Sequence, residues 1–201
     1  MSSVRVVAVS GNFSAPSRTL TLTRQIVNAL DQELVAESHL FELSSLAASV
    51  GKALCRRDVS PEAARALGLV ESAGLLVVAT PVYRGSYAGL FKHLFDLIDQ
   101  DALIDVPVIL AATGGSERHC LVIEHQLRPL FSFFQAITVP IGIYATPADF
   151  SDGQISSAQV LARIELAARQ AAKLVRHRLP NAAERHLLQS AISLQGSPPQ
   201  P

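Results

Sequence analysis

The chain has little cysteine, no net charge and no long apolar run, and each shortage removes a class of function. Cys55 and Cys120 are its 2 cysteines, with neither a CxxC pair nor a metal-type spacing, so two free thiols are expected. The 6 histidines, His39, His93, His119, His125, His177 and His186, form no HExxH or HxH pair, and no structural or catalytic metal is expected. The 17 Lys and Arg balance 17 Asp and Glu, with no basic run interleaved with aromatics, which argues against a nucleic-acid partner. No stretch approaches the roughly 18–20 apolar residues that span a bilayer. The amino terminus runs straight into Val4-Arg5-Val6-Val7-Ala8-Val9 without a cleavage pattern, so the expected location is the cytoplasm.

What the sequence does have is alternation. Val4 to Val9, Gly74 to Thr80 and Pro107 to Thr113 are apolar runs of strand length, as expected of strands buried on both faces. Val35 to Leu43 alternates polar and apolar in places and reads as a weaker strand toward an edge. Ile137 to Tyr144 reads as a fifth strand, weakened by Pro140 and Gly142. Helical spacing appears from Thr19 to about Leu34, Ser60 to Ser72, Ala88 to Ile98, Leu121 to Phe134 and Ser156 to Arg178. Ser60-Pro61-Glu62 supplies a capping serine, a proline at the first helical position and an acid just after it. Pro129 is expected to bend or interrupt its helix. Ser44 to Ser60 has no firm period and is expected to be a loop with a short helical turn.

Five strands alternating with helices predict a doubly wound α/β sandwich. For a five-stranded parallel sheet the flavodoxin-like order 2-1-3-4-5 is the natural choice. Residues 1–179 are expected to form this domain. Residues 180–201 are expected to be a C-terminal extension, with room for a short helical stretch from Ala182 to Ile192 and a tail of disordered composition.

Three polar turns follow the first, third and fourth strands, which are central neighbours in such a sheet. The first, Ser10-Gly11-Asn12-Phe13-Ser14-Ala15-Pro16-Ser17-Arg18-Thr19, lacks both GxGxxG and GxxxxGK. It still offers hydroxyls, a guanidinium and a helix start, a combination that binds a phosphate or simply caps the helix. The second, Thr80-Pro81-Val82-Tyr83-Arg84-Gly85-Ser86-Tyr87, is expected to be a tight turn in which Gly85 takes an unusual backbone angle. Tyr83 and Tyr87 could line a flat aromatic ligand there. Thr113-Gly114-Gly115-Ser116 brings glycine amides to the same edge. Lys92 and Asp96, 4 apart on a helix, should form a solvated pair. The sequence has no GxSxG elbow, no cysteine beside a base and no carboxylate cluster. Hydride transfer needs none of these, because a cofactor supplies that chemistry.

On Ser10-Gly11-Asn12 with Ser17-Arg18-Thr19, on Thr80 to Gly89 with Leu94 and Asp96, and on Ala112-Thr113-Gly114-Gly115, the chain resembles the NAD(P)H-dependent FMN reductases of flavodoxin-like fold. The resemblance extends over about residues 4–178. It is strongest toward the branch that supplies reduced FMN to sulfonate and methanesulfonate monooxygenases. It implies that Ser10, Ser17, Arg18 and Thr19 hold the FMN phosphate. Pro81, Val82, Tyr83, Arg84, Gly85 and Ser86 would flank the ring and ribityl chain, and Thr113, Gly114 and Gly115 would bond the ring's pyrimidine edge. No catalytic side chain is implied, since hydride passes from NADH or NADPH directly to the flavin N5. The absence of an arginine cluster for a 2′-phosphate leans toward NADH. Relatives of this kind are homotetramers, and a partner monooxygenase consuming reduced FMN is implied. In the alkanesulfonate-system relative a tyrosine stands in a π-helical insertion where this chain has His125, and it lies at the tetramer interface. Asn12-Phe13 stands where relatives often carry Pro-Arg. Three other readings stay open: a quinone or azo reductase that keeps FMN tightly bound, a flavodoxin-like electron carrier, and a non-catalytic domain. The zero net charge counts against the carrier, which tends to be acidic.

Overall fold

Strand β1 (Val4–Ser10) buries every position except Arg5, as a strand covered on both faces must. The computed structural model, which describes residues 3–178, sets β1 in parallel between β2 (Ala36–Glu42) and β3 (Leu75–Tyr83). A short antiparallel β4 (Ser86–Tyr87) folds back on the end of β3, and β5 (Pro107–Thr113) pairs with β3 on its other side. The last place in the sheet is divided between β6 (Ile137–Thr138) and β7 (Ile143–Ala145), both parallel to β5. With the divided strand counted once and β4 set aside, the order is the 2-1-3-4-5 of a flavodoxin-like doubly wound fold.

Side-chain alternation along the strands builds two cores. Val6, Ala8, Leu75, Val77, Ile109 and Ala111 face α1 (Arg18–Glu33) and α6 (Ala158–Arg178). Val7, Val9, Leu76, Val78, Val108 and Leu110 face α2 (Leu43–Val50), α3 (Pro61–Glu71), α4 (Gly89–Asp96) and α5 (Arg128–Phe133). Phe91, Phe95 and Phe131, all buried, run through the second core with centroids 5.0 and 4.9 Å apart. Ser60 caps α3 as its sequence predicts, its Oγ accepting from the Ala63 amide at 3.2 Å with Pro61 in the first turn. β2 lies at the sheet edge with no fully buried position, matching its mixed pattern.

Four local expectations change. Residues 43–50 form a full helix where the sequence predicts a loop with only a short helical turn over 44–60: Leu43, Leu46 and Val50 share a buried face that the intervening Ser44 and Ser45 hide from a periodicity reading. β3 runs past Thr80 to Tyr83, so the expected turn is the tip of a hairpin: Val82 pairs with Tyr87 and Tyr83 with Ser86. The helical stretch expected from Leu121 to Phe134, bent or interrupted near Pro129, is a π-helical turn, Ile123–Leu127, feeding into α5. Pro129 sits in the first turn of α5, where its missing N–H costs nothing, so the break precedes the proline. The fifth strand is divided around Pro140, which has no N–H for the ladder. The expected extension 180–201 lies outside the described residues.

Candidate functional site

A cleft of about 640 Å³ opens along the carboxyl ends of β1, β3, β5 and β7, where ligands bind in open α/β sheets. Its walls come from four chain segments. The first is residues 12–21, the loop into α1. Ser17 caps α1, its Oγ accepting from the Leu20 amide at 3.2 Å, and the Thr21 amide donates to the Ser17 carbonyl at 3.0 Å. Among the described residues the Arg18 and Thr19 amides meet no protein acceptor, leaving the two first-turn donors aimed at the cleft. The Arg18 side chain is exposed and forms no ion pair among the described residues. Two free amides, a helix dipole and a guanidinium together make a seat for a dianion.

The loop itself is anchored from below. Asn12, 3% exposed, accepts from Ser10 Oγ at 2.7 Å and donates to Glu42 Oε2 at 3.2 Å and to the Ser14 carbonyl at 3.4 Å. Asn12 therefore spends its polar groups on holding the loop to β2.

The second wall is Pro81, Val82 and Tyr83 at the end of β3. Arg84 and Gly85 form the two-residue turn beyond it with φ of 53° and 84°, the left-handed geometry that joins hairpin strands compactly. Gly85 takes it without steric cost. Tyr83 stacks on Phe13, with centroids 6.1 Å apart and planes inclined by 22°, giving the cleft a flat aromatic rim. Tyr87 points elsewhere: its ring packs on Phe91 at 6.0 Å. The hairpin thus separates the two tyrosines.

The third wall is Thr113, Gly114 and Gly115. Thr113 Oγ1 shares a buried 2.7 Å hydrogen bond with Thr19 Oγ1, joining the third loop to the first helix. The Gly114 amide donates to the Ala145 carbonyl at 3.1 Å. The Gly115 amide has no protein acceptor among the described residues.

A fourth wall follows β7: Ala145, Thr146 and Pro147, then Phe150, Asp152 and Gly153 from the hairpin of β8 (Phe150–Ser151) and β9 (Gln154–Ile155). Asp149 closes this loop by accepting from the Thr146 amide and hydroxyl at 2.7 and 2.9 Å. Burial pushes the Asp149 carboxyl up, but those two bonds and one from Ser157 outweigh it and hold it below the usual range. Thr21 Oγ1 donates to the Gly153 carbonyl at 3.2 Å and ties the hairpin to α1.

Of the residues singled out from sequence, Ser17, Arg18, Thr19, Pro81, Val82, Tyr83, Thr113, Gly114 and Gly115 share the cleft. Ser10 is buried beneath it, while Arg84, Gly85 and Ser86 lie outside its lining. Ser86 Oγ instead donates to Gln126 Oε1 at 3.2 Å. Sequence reading missed Phe13 and the whole fourth wall. The available signal was positional, since residues after a fifth parallel strand reach the same sheet edge as those after the first, third and fourth.

A second cavity of about 660 Å³ lies between α4 and the π-helical turn, lined by Tyr87, Phe95, His125, Gln126, Leu130 and Phe133 among others. Lys92 and Asp96 pair at its edge, as their spacing predicts. No glycine lines it, whereas the first cleft has both the start of α1 and the Gly115 amide. Among the described residues no group of three or more His, Cys, Asp and Glu is arranged to hold a metal.

The chain is similar to known proteins. The family model for NADPH-dependent FMN reductases matches residues 4–151. The chain is 60% identical over 171 residues to the NADH-dependent FMN reductase SfnF of Pseudomonas fluorescens, covering 85% of this chain and 91% of that one. It is 59% identical over 170 residues to an FMN reductase (NADPH) of Pseudomonas aeruginosa, with the same two coverages of 85% and 91%. Among solved structures, an oxidoreductase of Corynebacterium diphtheriae superposes with TM-score 0.76 at 33% identity, over 87% of this chain and 98% of that chain.

Proposed function

The chain belongs to the family of NADPH-dependent FMN reductases, and from that premise we propose that its cleft binds FMN and a reduced nicotinamide side by side. It is an oxidoreductase acting on flavin. The observation that carries the assignment of the cleft is a single piece of geometry. The Thr19–Thr113 bond of 2.7 Å fastens an anion seat at the start of α1 to a loop whose Gly115 amide is free.

The residues present fit FMN. Its phosphate would meet the Arg18 and Thr19 amides, the Ser17 hydroxyl and the Arg18 guanidinium. The ring would lie along Pro81, Val82 and Tyr83, and its polar edge would reach the Gly115 amide. Ser10 supports this site from beneath by holding Asn12. When bound, the flavin supplies the redox chemistry by accepting hydride. The chain's own work is to orient and to exclude water. The Tyr83–Phe13 rim shields one side of the cleft, and the Thr146–Asp149 loop closes another. No side chain is assigned a proton to move.

We further propose that reduced FMN passes to a partner monooxygenase, in sulfonate-sulfur assimilation, and that the chain works in the cytoplasm. Similarity to the SfnF-type reductase supports the first. For the second, no described helix is long and apolar enough to cross a membrane. A homotetramer is supported by the π-helical turn at His125 and by Leu121 and Phe133, 57% and 66% exposed beside it. Light scattering that finds a monomer at all concentrations overturns the tetramer.

Anaerobic oxidation of NADH or NADPH with added FMN tests the activity. The expected result is a rate that depends on FMN concentration; no oxidation of either nicotinamide overturns the assignment. Flavin retained through dialysis would favour the tight-FMN reductase instead.

A further inference from the structure

The loop after β5 is held in place by a residue of the neighbouring strand. Tyr144 lies on β7, opposite Ala112 of β5. Its side chain extends past the sheet edge, and its hydroxyl donates to the Ser116 carbonyl at 2.7 Å. On the way it crosses Gly114 so closely that a Cβ built there would stand 2.0 Å from the hydroxyl oxygen and 3.0 Å from Cζ. Gly114 is thus a glycine because a tyrosine occupies the place of its side chain. The Gly114 amide donates to the carbonyl of Ala145, the next residue on β7, at 3.1 Å. The loop is therefore fixed at Gly114 and at Ser116, both times by β7. Gly115 stands between the two fixed points, with nothing within 4 Å of its Cβ direction and its amide without a protein acceptor among the described residues.

We propose that Tyr144 is a positioning residue for flavin: by clamping Ser116 over Gly114 it turns the Gly115 amide into the cleft, where it donates to the polar edge of the ring. The inference rests on the FMN reading of the cleft and adds to it a residue outside the cleft lining. Tyr144 acts as a donor, and a donor must keep its proton. Burial pushes its hydroxyl above the ordinary range, and Glu117 and Cys120 nearby push in the same direction. The tyrosine therefore keeps its proton through neutral pH and remains a donor.

The clamp also explains a pattern in the sequence. Of the two adjacent glycines, Gly114 answers to Tyr144 packing and Gly115 to ligand access. A Cβ at Gly115 would meet no protein atom, so the two positions should respond differently to the same substitution.

The test uses Tyr144→Phe, which removes the hydroxyl and keeps the ring. FMN and riboflavin binding are followed by quenching of flavin fluorescence, and inorganic phosphate binding by its competition with FMN. The expected result is a loss of about 3- to 10-fold for FMN and for riboflavin alike, the usual range for one hydrogen bond, with phosphate competition unchanged. In steady state the change should fall on KM for FMN and not on kcat. Gly114→Ala supplies a second arm: its damage to FMN binding should be smaller in the Tyr144→Phe background than alone, because the 2.0 Å contact is with the hydroxyl that the Phe variant lacks. Unchanged flavin affinity in Tyr144→Phe overturns the clamp while leaving the FMN reading intact. Equal weakening of phosphate also overturns it, since that marks a general loosening of the cleft. Failure of the wild-type chain to bind FMN at all sinks the parent reading and this one together.

Discussion

Thr19 and Thr113, 94 positions apart, share one buried hydrogen bond of 2.7 Å at the floor of the cleft. Each threonine ends a different structural logic, Thr19 the start of a helix and Thr113 the end of a strand. The bond fixes the distance between the anion seat and the glycine loop. Replacing either residue by valine keeps the shape and orphans the other hydroxyl in a buried place. Each single variant should lose about 1–3 kcal/mol of stability, and the double variant less than the sum, because no unpaired hydroxyl then remains. Urea unfolding of the three variants checks this; strict additivity would show that the bond has no coupling energy.

Arg18→Ala should weaken FMN binding by roughly 1.5–3 kcal/mol, the range for a hydrogen bond to a charged group. Stability should barely change, because Arg18 makes no ion pair among the described residues and is exposed. Riboflavin, which lacks the phosphate, should bind the variant as well as the wild type. An unchanged dissociation constant for FMN would remove Arg18 from the site.

Gly85→Ala tests the hairpin that presents Tyr83. Gly85 has φ of 84° and open space where a Cβ would point, so the cost is conformational and should be about 1–2 kcal/mol. Because Arg84 beside it already sits at φ 53°, the turn has little freedom to relax. A fall in thermal midpoint with a raised KM for FMN is expected; neither change would mean that the turn readily adopts another form.

Acid should destabilise the chain in a definite window. Glu124 is held below its ordinary range first by its hydrogen bonds to Arg128, whose Nε and Nη2 lie 2.6 and 2.8 Å from the carboxylate. Asp149 is lowered by its bonds to Thr146, which overcome the effect of burial. Both bind protons more weakly folded than unfolded, so their stabilisation is complete above the ordinary carboxylate values of about 4. It is lost as pH falls through the lowered folded values. Asp149→Asn should flatten the acid side of the stability profile, measured by urea unfolding between about pH 6 and 3. A profile identical to that of the wild type would show that Asp149 does not contribute.

Much of this was legible in the chain because apolar run length and turn chemistry are local. Val4 to Val9 and Pro107 to Thr113 read as strands buried on both faces, and Ser60-Pro61 as the start of a helix, and the fold has them so. α2 was not legible, because a helix of 8 residues gives too few turns for a period to stand out. The π-helical turn at Ile123–Leu127 leaves no mark in hydrophobic spacing. The fourth wall was missed for a different reason: Thr146, Asp149 and Gly153 look like ordinary turn residues until β7 carries them to the sheet edge.

The sequence by itself determined the main strands and helices, that they alternate, and that three polar turns end on one edge. It did so because strand and helix periods, caps and prolines act within a few residues. Only the tertiary structure decided which members of those turns face the cleft. Ser10 went beneath it, holding Asn12, and Arg84 to Ser86 went past it, because β3 continued into a hairpin. Tyr83 and Tyr87, 4 positions apart in sequence, went to two different cavities. Gly114 and Gly115, adjacent and identical, received separate tasks, because the position of Tyr144 above one and open space above the other are set by how β7 pairs with β5. Contacts between residues far apart in the chain carry no local signature, and they determine where the free amides of this site point.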